Sequence, residues 1–441
     1  MYDAIIAGSG PGGSYLAWLL AKEGFNIALL DKNPRSLMGY KVCGEGIFGH
    51  CFKTISVSLP QGSELLNVID SHKVVLPDFK NTITVLARLY ITDRKNFFQR
   101  FINKAEKHGA EILPETIATR PLIKNRAVVG VKIRQNKNLK ELRSRVVIDA
   151  SGVAAVIWNN TSHPLLRLEK IGRDDMAIGY REILKLNSDF DEKSTVVYLN
   201  QKLMKGGYFW IFPRGNKEIN VGVGGILRYN DPKPFPIFLK RILKNIIYEC
   251  DYSVLDAGFA LIPARRPLPS LVSDGLMLVG DAGSQTNPIH GGGICTSFRA
   301  AEFAARVLVD VLDTDKEFIS KELLWKYSYE FMRTEGLKHA ILEAGRLLLQ
   351  SLDNKYLNNI MLIYGHFIEK PKHLKIVPEK ISPSISVLSM LPSLAPKFSL
   401  LKKSIDKIRA LYRNYPKSPR GIFEWARRDI ALFDTIKKAI A

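Results

Sequence analysis

The sequence has few cysteines and no long apolar run. Its four cysteines are Cys43, Cys51, Cys250 and Cys295. No two have zinc-finger spacing, and a chain of 441 residues needs no disulfide framework, so we expect neither a metal site nor disulfides. No stretch of about 18 apolar residues is present, and the sequence therefore predicts no transmembrane helix. Nothing at the start resembles a signal peptide, which indicates a cytoplasmic protein.

Acidic residues are also scarce. The chain has 43 Asp and Glu against 64 Lys and Arg, a formal net charge of +21. Such an excess is typical of proteins with an anionic partner, here nucleic acid, a membrane surface or a phosphorylated substrate. A generally basic proteome is the alternative. Glycine and proline contents are ordinary and no internal repeat is present, so collagen-like and low-complexity classes are excluded.

The first thirty residues have the pattern of a dinucleotide-binding βαβ unit. Residues 3–7 predict a buried strand, 14–24 a helix after a glycine-rich turn, and 26–30 a second strand that closes on Asp31. In a G-x-G-x-x-G turn the glycines allow a tight turn, close approach to a pyrophosphate and packing of helix on strand. The helix N-terminus attracts phosphate, and an acid after the second strand binds ribose hydroxyls. The cofactor residues predicted here are Gly8, Gly10, Gly12, Gly13 and Asp31.

A second segment far downstream fits the same cofactor. Residues 275–283 predict a buried strand ending at Asp281, and 293–312 an amphipathic helix that glycines open. Asp281 suits a sugar hydroxyl, although alone it would equally suit an ordinary turn. The helix N-terminus would stabilise negative charge on a reduced flavin. Further expected cofactor residues are Arg94 at a helix start, Ala118 at a strand end near the adenine, and Gly292, Gly293 and Ile294.

Together these segments resemble the glutathione-reductase-type FAD fold, in its para-hydroxybenzoate-hydroxylase branch, a resemblance that the DASG turn at 149–152 extends. The resemblance implies FAD as the cofactor and an α/β architecture. In it, a Rossmann domain carries an inserted antiparallel substrate sheet and a helical C-terminal region. The implied FAD domain is 1–50, 88–160 and 271–312, the substrate domain is 51–87 and 161–270, and the helical basic region is 313–441.

Two further stretches narrow the resemblance to one family. KVCGEG at 41–46 and GGYFWIFP at 206–213 are similar to the signatures of archaeal geranylgeranyl reductases. The similarity continues through 262–268, 287–293 and 411–419, and so extends over nearly the whole chain.

This family resemblance assigns roles in the first stretch. It implies that Lys41, Cys43, Gly44 and Gly46 lie along the flavin. Cys43 is then a catalytic candidate, as proton donor, redox-sensitive thiol or flavin contact. Taken from the residues alone, a free cysteine is most often a small buried hydrophobe.

Aromatic residues alternate in the second stretch. Tyr208, Trp210 and Phe212 share one face of an extended segment, which Pro213 is expected to end. Alternating aromatics usually indicate core packing, but the resemblance implies a wall that binds an apolar substrate above the flavin. Tyr208 is a second catalytic candidate, and His290 is a further expected substrate contact. Glycines at 222, 224 and 225 leave room for close backbone approach.

The activity that the resemblance implies is hydrogenation of isolated C=C bonds. The substrates would be geranylgeranyl chains of archaeal ether-lipid precursors, or geranylgeranyl diphosphate. A hydride would come from reduced FAD and a proton from Cys43, Tyr208 or an ordered water, in a site that excludes bulk water. The anionic head of either substrate agrees with the positive net charge. No second nucleotide-binding motif is apparent, so the electron donor stays open, with a ferredoxin-like protein as one candidate.

The C-terminal region is basic and ends in an amphipathic segment. Residues 401–441 carry 11 Lys and Arg against 4 Asp and Glu. Apolar residues from Phe423 to Ile440 fall on one helical face, which suits either a membrane-surface helix or a helix packed on the body of the protein. The first alternative would make the protein peripheral on the inner face of the membrane. We expect 313–441 to cap the substrate tunnel, with a Pro- and Ser-rich break at 377–397.

Three other functions are considered. A flavin-dependent monooxygenase or halogenase would share the fold, and the halogenase motif W-x-W-x-I-P is close to residues 208–213. Neither explains the KVCGE and NPIHGGG segments together, and no lysine can be assigned to the catalytic role that a halogenase needs. A nucleic-acid-binding protein is the third alternative, but no recognised motif supports it, and we expect no nucleic-acid partner.

Overall fold

The computed structural model describes residues 1–169, 171–246, 251–313, 316–368, 392 and 395–440. Its strands are β1 Tyr2–Ala7, β2 Ile27–Leu30, β3 Gly46–Phe48, β4 Leu65–Val75, β5 Thr82–Thr92, β6 Glu111–Leu113, β7 Thr116–Lys124, β8 Ala127–Gln135, β9 Asn138–Asp149, β10 Met176–Leu186, β11 Ser194–Leu199, β12 Tyr208–Gly215, β13 Glu218–Ile226, β14 Tyr252–Pro263, β15 Val272–Ser273 and β16 Leu276–Leu278. Its α-helices are α1 Pro11–Ala21, α2 Gly49–Phe52, α3 Arg94–Lys107, α4 Val156–Asn159, α5 Phe235–Ile246, α6 Ile294–Leu312, α7 Lys321–Phe331, α8 Leu337–Ser351, α9 Asn354–Ile368, α10 Ala395–Arg413 and α11 Ile422–Ile440.

The first sheet is a parallel nucleotide-binding sheet. Strands β16, β9, β1, β2 and β6 lie side by side in that order and are all parallel. Strand β15 adds an antiparallel edge, and β7 and β8 continue as an antiparallel ribbon from β9. Because parallel strands end at a common edge, the turns after Ala7, Leu30, Asp149 and Leu278 meet there, where this class of sheet binds its ligands.

An aromatic cluster fixes the helices that cover this sheet. Tyr15 of α1, Phe101 of α3 and Phe298 of α6 pack edge-to-face, with ring centroids 5.2 to 5.5 Å apart. At the start of α1, a Cβ on Gly12 would lie 3.4 Å from the carbonyl oxygen of Ser297, which is in the first turn of α6. The N-termini of α1 and α6 therefore lie next to each other at the carboxyl edge of the sheet.

The second sheet is largely antiparallel, in the order β14, β10, β13, β12, β11, β4, β5 and β3, with β11 and β4 parallel. One face is packed against α5 through Phe235, Leu239 and Leu243. The other face carries the side chains of Tyr208, Trp210 and alternate residues of the neighbouring strands. The predicted fold class, a Rossmann domain with an inserted substrate sheet and a helical C-terminal region, is confirmed.

Two boundaries differ from those predicted. The predicted boundary between the substrate domain and the second FAD segment, at 87 and 88, falls inside β5. Because β5 pairs with β4 from Thr82 to Thr92, the whole strand belongs to the second sheet, and the FAD segment starts after it. The strand β12 does not end at Pro213 but continues to Gly215 through an irregular register. Proline lacks the N–H donor of other residues but keeps its carbonyl, and the Pro213 carbonyl accepts a hydrogen bond from the Asn67 side chain.

Cys51 and Cys295 form a disulfide, which corrects the expectation of none. The fold brings α2 against the first turn of α6, with the two Cα atoms 5.7 Å apart. A sequence separation of 244 residues gave no sign of this contact. Cys43 is free, and Cys250 lies outside the described residues.

The C-terminal helices pack on the body of the protein. On the predicted apolar face of α11, Ala426, Phe433, Ile436 and Ile440 are buried against the protein, whereas Phe423 at its start is exposed. None of the described helices has the length and apolar character that crossing a membrane requires. The predicted break at 377–397 lies almost wholly outside the described residues.

A largely buried ionic cluster connects these helices to the substrate sheet. Arg265 and Arg266, directly after β14, are both inaccessible to solvent. Arg266 contacts Asp429 of α11 at 2.6 Å, Glu343 of α8 at 3.4 Å and Glu169 at 3.1 Å, and Arg265 contacts Glu169 at 2.7 Å. These ion pairs connect α8 and α11 to the segment that follows β14.

Candidate functional site

The glycine turn after β1 is too crowded for side chains at three positions. Gly8 has φ +115°, and a Cβ on it would lie 2.3 Å from the carbonyl oxygen of Ala150. A Cβ on Gly13 would lie 1.9 Å from the Gly8 carbonyl oxygen, and one on Gly12 would lie 2.5 Å from Cγ1 of Val279. These contacts hold strand, turn and helix together and place the turn against the second segment.

Gly10 leaves open space at the start of α1. Nothing lies within 4 Å of the position that its Cβ would take, and α1 has no side-chain cap there. The first N–H groups of a helix lack intrahelical partners and carry partial positive charge, so they attract anions. This open helix start fits a dinucleotide pyrophosphate.

Asp31 lies directly after β2, beside this turn. Its carboxylate accepts hydrogen bonds from the backbone N–H of Ser9 and of Asn33, both at 2.9 Å, and from the Ser9 hydroxyl. The backbone N–H of Thr116, at the start of β7, donates to the Asp31 carbonyl at 2.8 Å. Ala118 is the third residue of β7 rather than at a strand end, two residues after Thr116. This edge fits the ribose and adenine.

Lys41 and Asp281, predicted separately as cofactor residues, form an ion pair. The Lys41 Nζ lies 2.6 Å from Asp281 Oδ2, and the Thr286 hydroxyl donates to Asp281 Oδ1 at 2.6 Å. Burial alone would raise the pKa of Asp281, but Lys41 and these hydrogen bonds hold the pKa of that carboxyl below its ordinary value. Asp281 therefore remains ionised at neutral pH and can accept hydrogen bonds.

Helix α6 begins against Asp281. Gly293 is the N-cap and Ile294 the first helical residue, with no side-chain cap. A Cβ on Gly293 would lie 2.9 Å from the Thr286 hydroxyl and 3.3 Å from Asp281 Oδ1. The exposed Gly292 leads into this start. The second uncapped helix N-terminus fits the predicted role of stabilising negative charge on a flavin ring.

Cys43 lies in the turn between β2 and β3, with a free, half-buried thiol. Its Sγ accepts from the backbone N–H of Glu45 at 3.2 Å and from Arg94 Nη1 at 3.4 Å. Arg94 also donates through Nε to the Gly39 carbonyl at 3.1 Å, so it holds the turn as well as the sulfur. The predicted residues Cys43 and Arg94 are thus in direct contact.

The two glycines of this turn are placed differently. A Cβ on Gly44 would lie 2.9 Å from the Phe212 ring, so the turn presses against the aromatic residues of β12. Gly46 opens β3 and pairs with Ile91 of β5 in the second sheet. Gly46 therefore connects the turn to the substrate sheet, and its predicted contact with the cofactor stays a prediction.

Tyr208, Trp210 and Phe212 form a continuous wall on one face of β12. Their ring centroids are 5.8 Å and 6.3 Å apart in that order. The intervening Phe209, Ile211 and Pro213 are buried on the other face. The Trp210 ring lies over Gly222, where a Cβ would be 2.2 Å from the ring. The predicted shared face is confirmed.

His290 stands at one end of the wall. The Tyr208 hydroxyl donates to the His290 carbonyl at 2.7 Å. The surrounding protein lowers the pKa of the His290 ring to about 4, although the residue is partly exposed. Burial raises the pKa of Tyr208 to about 12. Both side chains are therefore neutral at physiological pH.

Helix α8 lies over this end of the site. A Cβ on Gly345 would be 3.8 Å from Cδ1 of Ile289, the residue before His290. In the loop before β12, a Cβ on Gly206 would be 3.0 Å from the Gln350 side chain of α8. These contacts agree with the predicted capping of the site by the C-terminal region.

Sequence reasoning missed a polar network beside the wall. Asn220 of β13 bonds Trp210, and Glu45 is paired with Arg214 at 2.9 Å. Burial raises the pKa of Glu45, although Arg214 opposes that shift. The one available signal was Asn220 itself, a polar residue within the apolar strand EINVGVGGI, where side chains are expected to be buried and hydrogen-bonded.

Two family profiles match parts of the chain. Residues 175–261 match the geranylgeranyl reductase catalytic domain, and residues 6–40 match an NAD(P)-binding Rossmann-like domain. The first match runs from the start of β10 into β14 and so includes the aromatic wall. The second covers the end of β1, all of α1 and β2, and the segment that leads to Cys43.

Two archaeal proteins are similar along most of their length. The digeranylgeranylglycerophospholipid reductase of Sulfolobus acidocaldarius is 30% identical, over 97% of this chain and 96% of that protein. Digeranylgeranylglycerophospholipid reductase 2 of Methanopyrus kandleri is 28% identical, over 89% of this chain and 97% of that protein.

Solved structures share the fold. A geranylgeranyl bacteriochlorophyll reductase-like protein from Thermoplasma acidophilum has a TM-score of 0.79 at 24% identity, covering 92% of this chain and 99% of that one. The flavin-dependent brominase Bmp2, as a triple mutant, has a TM-score of 0.62 at 17% identity, covering 92% and 99%. At these identities the likeness shows the fold alone, so the choice between reductase and halogenase chemistry depends on the site and on the closer sequences.

Proposed function

The chain belongs to the family of archaeal digeranylgeranylglycerophospholipid reductases, and we propose that it is an FAD-dependent reductase that hydrogenates C=C bonds of geranylgeranyl chains in ether-lipid precursors. The observation that carries the proposal is the wall of Tyr208, Trp210 and Phe212, which Asn220 joins to the turn that holds the free thiol of Cys43. A halogenase or monooxygenase does not require this pairing of an apolar wall with a thiol.

The residues present fit FAD. The pyrophosphate would lie at Gly10 and the start of α1, the ribose at Asp31, and the ring at the start of α6 near Lys41 and Asp281. Both helix starts lack a side-chain cap, which leaves their N–H groups for an anionic ligand. When bound and reduced, FAD supplies the hydride that one alkene carbon receives.

The aromatic wall would bind and orient the alkene. Three adjacent rings offer a flat apolar surface that holds a prenyl chain and keeps water away from it. Positive charge that develops on the second alkene carbon would be attracted to the ring faces by roughly 0.5–2 kcal/mol. Trp210, the largest of the three and the central one, would contribute most.

Cys43 is the better placed proton donor. Loss of its proton leaves a thiolate, which the Glu45 N–H at 3.2 Å and the Arg94 guanidinium at 3.4 Å would stabilise. The Tyr208 hydroxyl already donates to His290, and the raised pKa of Tyr208, about 12, makes its phenolate costly. We therefore assign protonation to Cys43 and substrate contact to Tyr208.

The Cys43→Ala variant tests this assignment. We expect geranylgeranyl reduction to slow by about 10²–10⁴-fold, the usual contribution of a positioned acid. Flavin content and chemical reduction of the flavin should not change, because neither needs the thiol. Full activity of Cys43→Ala would instead assign the proton to Tyr208 or to water, and Cys43→Ser should retain part of the rate.

An anaerobic turnover experiment tests the function itself. Protein reconstituted with FAD is reduced by dithionite and mixed with geranylgeranyl lipid or with geranylgeranyl diphosphate, and product mass is followed. A gain of one H₂ per reduced double bond supports the proposal, and the relative rates identify the preferred head group. Protein that fails to take up FAD, or product that forms only when air is admitted, would contradict it and favour a monooxygenase in the second case.

The nucleotide-binding motif and the surface charge bear on the electron donor and on membrane attachment. The one G-x-G-x-x-G turn, at 8–13, would be filled by FAD, and a ferredoxin-like protein is the proposed electron donor. Because the apolar face of α11 is buried, attraction to an anionic membrane would rest on the basic surface instead.

A further inference from the structure

Asn220 is a fully buried amide that joins two parts of the site. Its Oδ1 accepts from the indole N–H of Trp210 at 3.0 Å. Its Nδ2 donates to the Cys43 carbonyl at 2.9 Å and to Glu45 Oε2 at 3.1 Å. One side chain therefore contacts the central ring of the aromatic wall and two residues of the thiol turn.

Only one orientation of this amide satisfies its neighbours. The indole N–H of Trp210 can only donate, whereas the Cys43 carbonyl and an ionised Glu45 can only accept. The amide oxygen must then face Trp210 and the NH₂ group must face the turn. No other uncharged side chain of similar size offers an acceptor on one side and two donors on the other.

The surroundings leave this arrangement little freedom. Asn220 pairs with Phe212 across β12 and β13, so its side chain is on the face that carries the wall. Glu45 is held in turn by Arg214 at 2.9 Å. Gly222 lies against the Trp210 ring and leaves no room for a side chain, since a Cβ there would be 2.2 Å from the ring.

We propose that Asn220 is a positioning residue for alkene reduction, which fixes the Trp210 ring relative to the Cys43 turn through its amide. This inference rests on the proposed function, because the relative position of the wall and the thiol matters only if both act in alkene reduction. Without the amide, the strand and the turn would still fold, but the ring and the sulfur would no longer be held in one geometry. Misplacement of about 1 Å can cost on the order of 100-fold in rate.

The Asn220→Asp variant gives a pH-dependent test. Near neutral pH the new carboxylate faces Glu45 and the Cys43 carbonyl, which are both acceptors, so we expect kcat to fall roughly 10–100-fold with little change in KM. A protonated carboxyl again offers a donor and an acceptor. We therefore expect the kcat of Asn220→Asp, relative to that of the wild type at the same pH, to recover as pH falls. Arg214, which pairs with Glu45 at 2.9 Å, and Arg181 are the cations that act on Glu45.

A second readout separates this proposal from the function. Alkylation of the Cys43 thiol by iodoacetamide in FAD-loaded protein requires no prenyl substrate. We expect Asn220→Leu and Asn220→Asp at neutral pH to change its rate by at least about fivefold, because the turn that carries the sulfur loses its anchor. If wild-type protein reduces no prenyl chain, the proposed function fails. The alkylation rates would still test whether Asn220 holds the turn that carries Cys43.

Asn230→Leu is the matched control. Asn230 is another nearly buried asparagine of this domain, and its Nδ2 donates to the Lys205 and Ile226 carbonyls at 2.8 Å. Its loss should lower stability without changing the pH profile or the alkylation rate. Should Asn220→Leu not fold, Asn220→Asp, which has nearly the same volume, carries the test alone. A wild-type pH profile and alkylation rate in Asn220→Asp would overturn the proposal.

Discussion

The Gly222→Ala variant is expected to bind FAD as the wild type does and to reduce geranylgeranyl chains at least about 100-fold more slowly. A Cβ at this position would lie 2.2 Å from Cζ2 and 2.6 Å from Cη2 of Trp210, closer than any real contact. The indole must therefore tilt away from the sheet and into the space proposed for the alkene. Its hydrogen bond to Asn220, at 3.0 Å, would be strained or lost.

Gly179→Ala is the matched control for this prediction. Gly179 lies on β10, next to β13, on the same face of the sheet, and its Cβ would be 3.9 Å from the Trp210 ring, an ordinary contact. We expect a rate within a few-fold of wild type. Steady-state kinetics with the lipid substrate and tryptophan fluorescence would compare the two variants. Equal rates in Gly222→Ala and wild type would mean that the position of the Trp210 ring does not limit the reaction.

The local parts of the site were predictable from sequence because neighbouring residues determine them. The turn from Gly8 to Gly13, the strand before it and the helix after it form within one short segment, and G-x-G-x-x-G encodes their geometry. The shared face of Tyr208, Trp210 and Phe212 follows in the same way from the two-residue period of a strand.

Contacts between distant segments were not predictable from spacing. Lys41 meets Asp281 across 240 residues, and Asn220 meets the Cys43 carbonyl across 177, because the sheets place their strand ends together. The family resemblance put Lys41 and Asp281 in one site, but it did not show that they pair. The disulfide between Cys51 and Cys295 was missed for the same reason.

The two alternatives for the last helix show where patterning stops being informative. An apolar face with basic residues around it fits a membrane surface and a protein core equally well. The contacts of α11 show that it packs on the protein body. Arg266 contacts Asp429 of this helix at 2.6 Å and stacks on Phe433, with its guanidinium carbon 4.0 Å from the ring centre. Those partners lie more than 160 residues away in sequence.

Replacement of Arg266 by methionine is expected to be the most destabilising of the changes considered, at about 3–5 kcal/mol. Methionine keeps much of the apolar contact with Phe433 but removes the Arg266 Nε that lies 2.6 Å from Asp429. Glu343 keeps the backbone N–H of residue 266 at 2.7 Å and its contact with Arg346 at 3.8 Å. The Asp429 carboxylate would then be buried without the cation that pairs with it, and Glu343 would lose one of its two cations. Chemical denaturation at neutral pH measures the loss.

The pH dependence of that loss identifies its cause. Burial already raises the pKa of Asp429, and Arg266 opposes the shift, so Arg266→Met raises that pKa further. A carboxyl whose pKa is higher in the folded than in the unfolded protein costs stability as pH rises above its unfolded value, about 4. The deficit of Arg266→Met should therefore shrink as pH falls toward that value, and the added change Asp429→Asn should restore part of it at neutral pH. Arg88→Met, which breaks the exposed pair with Asp70, should change stability little at any pH. A deficit independent of pH would show that lost packing, not unpaired charge, destabilises the variant.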